Sequence, residues 1–275
     1  MPTLATMERT VSSPIGVVLL VLLLGACTSD SGNGSSAGGA SAATACVDDG
    51  EPFEGATQLF IEHNATDADT GVHGLLGSDG VGGVCIRTPD GTQMLVLDTV
   101  EQFGDLGISD FFFESREPPA DEYSIADLEA DFPEGEYRIS GIGLDGTPRV
   151  GTALFTHDIP AAPVISSPAL ADEENAGDAV LPTAGVVVRW APVTTTLDGA
   201  PLTVTGYEVI VTQVEHEDPH GQSRPVYDVH LPADRTELAL VDGFLLPDTA
   251  YELEVLVLEE SGNQTISLGF FTTAS

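Results

Sequence analysis

The chain has 275 residues, enough for two ordinary domains with additions. It carries 44 acidic residues against 8 basic ones, a formal net charge of −36, and such a surface repels nucleic acid and anionic membrane. All the basic residues are arginine, so Walker-type phosphate loops, Schiff-base chemistry and lysine-dependent kinases are excluded. A hydrophobic fraction of 42% is ample for packed cores, so the acidity reads as solubility in a salty habitat rather than disorder, a specific cationic partner being the alternative.

Residues 1–26 read as an export signal. Arg9 precedes the apolar run Ile15 to Leu24, which is too short to span a bilayer. The end of that run, Leu24-Gly25-Ala26-Cys27, resembles a bacterial lipobox. The resemblance implies that Cys27 receives lipid and that the mature chain sits at the cell envelope, outside the cytoplasm, with the membrane as a partner through the anchor. Plain secretion with cleavage near Ala26 is the alternative. Residues 27–45 are small and polar after the cysteine, cannot bury enough surface to fold, and form a flexible tether. Gly34-Ser35-Ser36-Ala37-Gly38 spells a nucleophile elbow, but no strand precedes it and no helix follows, so it is rejected.

Residues 46–160 are expected to form a β-rich, sandwich-like domain. Short strand candidates occupy 57–62, 83–87, 93–98, 111–114, 136–140 and 150–156, separated by Gly and Asp turns. Asp90-Gly91 and Asp145-Gly146 predict tight hairpins. A short helix is predicted over Ser124 to Phe132, where Ser124 and Asp127 make a capping pair and Ile125, Leu128 and Phe132 share a face. With Cys27 assigned to lipid, Cys46 and Cys85 are left to pair in an oxidising compartment, two free buried thiols being the alternative.

Pro160 and Pro163 predict a short, stiff connection to a second domain over 161–275. In that region Leu245-x-Pro247-x-Thr249-x-Tyr251, followed by the alternating run Glu252 to Val257, resembles the E–F corner of fibronectin type III domains. The resemblance implies an inward Tyr251 whose hydroxyl bonds a backbone acceptor of the preceding loop. It further implies strand B at Val186–Trp190 with Trp190 in the core, and strand C at Gly206–Val211 carrying Tyr207. The remaining strands fall at 226–231, 236–240, 250–258 and 265–272, with Ser261-Gly262-Asn263 as the F–G turn. The acidic stretch Asp172–Asp178 lengthens the A–B connection. The fold class is therefore all-β, a sandwich-like domain followed by a fibronectin type III sandwich.

Three constellations bear on chemistry. His216-Glu217-Asp218-Pro219-His220 matches the zinc-protease spelling H-E-x-x-H, yet Pro219 breaks the helix that chemistry needs, and an exposed polar loop is expected. Asn64, Asp67 and Asp69 set oxygen ligands near Gly71 and suit Ca²⁺, with Asp79 as a further donor; an Asx turn without an ion is the alternative. Acidic pairs such as Glu114 with Glu117 and Glu252 with Glu254 are too abundant to single out, and His63, His73, His157 and His230 have no partner motif. The resulting expectation is a lipid-anchored, non-catalytic binding or spacer module with a protein or glycan partner. An accessory carbohydrate-binding protein and a hydrolase are the alternatives.

Overall fold

The computed structural model describes residues 46–216 and 224–275. Cys27, the export segment, the tether and Glu217–His220 of the H-E-x-x-H match lie outside the described residues. Two separate hydrophobic cores organise what is described, one drawn from 53–159 and one from 186–271.

The first core is wrapped by β1 (Glu51–Pro52), β2 (Thr57–Asn64), β3 (Asp69–Arg87), β4 (Gln93–Asp98), β5 (Ile108–Glu114), β6 (Gly135–Gly143) and β7 (Pro148–Phe155). Its centre is β3, nineteen residues long. The first half of β3 pairs with β2 and β5, and the second half with β4 and β6. The register shifts between Gly77 and Val81 and again before Val84, where Gly80 has φ 121°. A strand turns between two layers there because glycine tolerates the kink and leaves room for close backbone approach. The sequence reading placed a strand here only at 83–87, so β3 begins fourteen residues earlier than expected. The helix forecast at 124–132 appears as a helix over Ile125–Asp131, with the Ser124–Asp127 capping box closed and Leu128 buried. A second short helix, Glu101–Leu106, had no forecast. Cys46 and Cys85 are disulfide-bonded, tying the first described residue to the C-terminal end of β3.

The second core lies between two sheets. One holds β8 (Ile165–Ser167), β10 (Val187–Trp190) and β13 (Glu237–Ala239); the other runs β15 (Gln264–Thr273), β14 (Ala250–Glu259), β11 (Val204–Gln213), β12 (Val226–Pro232). These are the A-B-E and G-F-C-C′ layers of a fibronectin type III sandwich. Trp190 packs on Tyr207 at 5.3 Å between ring centroids, and Tyr251 stacks on Phe271 at 5.4 Å. The corner differs from expectation in polarity: the Tyr251 hydroxyl accepts the Leu246 N–H at 2.9 Å rather than donating to a carbonyl. Tyr207 likewise accepts the Val193 N–H at 2.8 Å. Tyr251→Phe keeps the ring packing and abandons one partly buried donor. Its expected cost is the lower end of about 1–3 kcal/mol, read as a lower urea midpoint; an unchanged midpoint would mean that water replaces the hydroxyl.

The two cores share one sheet. The outer edge of β15 pairs in parallel with the end of β2, placing Gln264 beside Glu62, Thr265 beside His63 and Ile266 beside Asn64. Beyond β2, Ala65 N–H donates to Ile266 O and Leu268 N–H to Thr66 Oγ1. The A–B insertion continues the pairing through Ala171 with Phe270 and through β9 (Val180–Leu181) with Thr272 and Thr273. An edge that would otherwise expose unpaired backbone groups is thereby closed along its length. The proline connection is only part of the joint. Asn263, 1% exposed, accepts the Ile61 N–H at 2.8 Å and donates to Thr156 O at 3.1 Å, while Thr265 Oγ1 donates to Pro160 O at 2.7 Å. Asn263→Ala leaves a buried donor and a carbonyl from the first half without partners. We expect a loss of about 1–3 kcal/mol for each such group, with separate unfolding of the two cores when Trp190 fluorescence is compared with circular dichroism. Coincident transitions at the wild-type midpoint would refute the pin.

Candidate functional site

The site follows from strand period. On β2, Leu59 and Ile61 enter the first core, so Phe60, Glu62 and Asn64 face the other way. On β14, Leu253, Val255 and Val257 enter the second core and Glu252, Glu254 and Leu256 face away; on β11 the same holds for Glu208 and Ile210. Because β2 and β15 are hydrogen-bonded neighbours, these residues occupy one face running across the joint. Glu62, His73, Glu208, Glu252 and Glu254 are all buried on it, among Phe60, Ile210, Leu256, Ile266 and Phe270. Buried charge is costly unless partnered, so each group must be accounted for.

His73 is clamped. Its Nε2 lies 3.1 Å from Glu117 Oε1 and its Nδ1 3.9 Å from Glu62 Oε2. Glu117 fits because Gly71 lies beside it: a Cβ at Gly71 would stand 2.6 Å from Glu117 Oε1. The imidazole ring meets Phe60 and Phe112 edge-on. Burial pushes Glu62 up to about 7, against the pull of His73. Burial also disfavours the charged imidazole, yet the Glu117 hydrogen bond and the charges of Glu62, Glu117 and Glu114 outweigh it, and the pKa of His73 is raised. Gln264 Nε2 supplies a further bond to Glu62. Donor atoms of Glu62, His73 and Glu117 lie within 4.8 Å of one another, close enough to hold a metal ion, but both ring nitrogens already face carboxylates. This trio partners itself.

Glu252 and Glu254 are neighbours on β14, and burial raises both, Glu254 the more strongly; a side-chain hydrogen bond joins them. Two adjacent buried carboxyls repel one another when both are ionised, which disfavours a second charge on the pair. Glu208 is pushed up to about 8, by burial first and then by a hydrogen bond and charge shared with Asp228 and by the charge of Glu62. Its Oε1 is buried without a hydrogen-bond partner.

The calcium candidates are arranged as a turn. Asn64 Oδ1 accepts the N–H groups of Thr66 and Asp67, at 3.0 and 3.1 Å, and its Nδ2 donates to Asp67 Oδ2 at 2.9 Å. These bonds define an Asx turn between β2 and β3. Asp69 opens β3, with Oδ1 buried and unpartnered; burial and then the charges of Glu117 and Asp67 raise it to about 6. Asp79 sits instead at the bend of β3, where its N–H approaches Glu54 Oε2. Sequence reasoning left His73 and His230 without partners because theirs come from other strands. The available signal was charged residues at outward positions of strands whose other face is apolar.

No family model matches this chain. No curated protein matches it either. Among solved structures, a two-domain fibronectin type III segment of chicken tenascin is 12% identical, covering 79% of this chain and 99% of its own, with a TM-score of 0.29. The FN1–FN3 domains of chicken CNTN1 are 14% identical over 82% of this chain and 68% of theirs, with a TM-score of 0.30. The third fibronectin III domain of human KIAA0343 protein is 18% identical over 43% of this chain and 86% of its own, again at 0.30. Superpositions this loose add nothing to the strand order and corner tyrosine already described.

Proposed function

We propose that the chain is a non-catalytic spacer and binding module, held by lipid on Cys27 at the outer side of a bacterial membrane and presenting its β unit to a protein or glycan partner. The edge of β15 is the observation that carries this reading. A strand closed by β2 on one stretch and by the A–B insertion on the next makes two cores into one continuous sheet, as a stiff spacer requires. The lipobox-like Leu24–Cys27, the polar tether behind it and a disulfide suited to an oxidising compartment support the location. Cys27→Ser should move the mature protein from the membrane fraction to the soluble one, while small-angle scattering of the released chain fits the two cores held as one rigid body. Retention in the membrane would overturn the anchor, and scattering from two independently tumbling bodies would overturn the spacer.

A further inference from the structure

We infer that Glu208, Asp228 and His230 form a surface site for a borderline divalent cation of the zinc class. The site is built by register. Glu208 on β11 and His230 on β12 are directly opposed across the strand pair, and Asp228, two residues before His230, lies on the same face. Their donor atoms lie within 4.8 Å of one another. Glu208 contributes the fixed ligand: its side chain is 2% exposed and its Oε1 has no hydrogen-bond partner, with His230 Nε2 3.4 Å away. Asp228 and His230 are exposed, so an ion reaches Glu208 through them.

An orphaned buried carboxylate oxygen is costly, and the cost persists only if something answers it. The His230 imidazole stands within ion-pair range of that oxygen but makes no hydrogen bond to it, so the oxygen is answered only in part. Asp228, which shares a hydrogen bond with Glu208, and Glu62 both add negative charge that disfavours ionisation of Glu208. A dication would satisfy the orphan and offset the local excess of negative charge. One imidazole with two carboxylates suits zinc-class ions better than magnesium or calcium, which prefer all-oxygen cages. Three protein ligands leave a coordination position for water or for a partner's side chain. The His73 trio differs because both its ring nitrogens already face carboxylates.

The test is zinc competition against a chromogenic chelator, using the full chain in high salt with excess magnesium to occupy diffuse acidic sites. Wild type should retain one zinc per chain and, loaded with cobalt instead, show visible ligand-field absorption. Loss of an outer-shell partner alone weakens metal sites about 10–100-fold, so His230→Gln and Asp228→Asn should each cost at least that much. Asp234→Asn, which removes an equal charge from the turn that follows β12, should cost nothing. Glu208→Gln should abolish the zinc-dependent rise in melting temperature while leaving the metal-free protein folded. Zinc held as tightly by His230→Gln, an equal loss in Asp234→Asn, or displacement by magnesium would each overturn the site.

Discussion

Raising the pH from about 5 to about 9 in high salt should lower the melting temperature of the folded chain. Glu62, Glu208, Glu252, Glu254 and Asp69 all have folded-state pKa values above their ordinary ones, with burial as the first cause in each case. A group raised in the folded state binds its proton more tightly there. Its contribution is therefore complete below the ordinary value and is lost as pH climbs through the folded one. Glu62, moved from 4.5 to about 7, accounts for on the order of 3 kcal/mol across that window. Glu208 extends the window to about 8. His73, also raised, adds to the same slope. His63 opposes it at the acid end, because burial lowers its pKa and protonation there disfavours the fold. The capping carboxylate of Asp127, held low by Ser124, is likewise lost at acid pH. Stability should thus peak in mildly acidic solution. Glu62→Gln retains an amide beside Gln264 and should flatten the alkaline limb; high salt removes the competing explanation of long-range repulsion. A melting temperature that rises or stays level toward alkaline pH would show that the sheet face is hydrated in solution.

Reducing the Cys46–Cys85 disulfide should destabilise the first core by about 4 kcal/mol, the chain-entropy cost of releasing a loop of 39 residues. Cys85 is fully buried on β3, between Ser140 of β6 and Val96 of β4, so the bond anchors the N-terminal stretch to the middle of a sheet. Noncovalent ties persist after reduction: Arg87 donates to Val47 O at 2.7 Å and pairs with Asp48, and Arg138 donates to Asp48 O. The native state therefore keeps its geometry, and the loss falls on the unfolded side of the balance. Urea melts with and without reductant measure it. Thiol labelling of the denatured, unreduced protein should find neither cysteine reactive. Labelling of both, or identical melts, would remove the disulfide from the account.

Much of this protein was legible in the sequence, wherever a feature is settled by nearby residues. Strand period and the spacing of Pro247, Thr249 and Tyr251 located the second sandwich, because a corner tyrosine reaches only a few positions back along its own chain. Ser124 and Asp127 announced their helix for the same reason, and Asp90-Gly91 and Asp145-Gly146 announced their turns. Tertiary structure decided what depends on partners distant in the chain. The pairing of β2 with β15 joins residues 202 apart, such as Ile61 and Asn263, and no local pattern encodes which edge a strand will close. That pairing turned two domains into one sheet and put Glu62, His73, Glu254 and Glu208 on a common face. Their burial, shifted protonation and mutual repulsion are properties of the assembled sheet, since a glutamate's pKa depends on what surrounds it and not on its sequence neighbours.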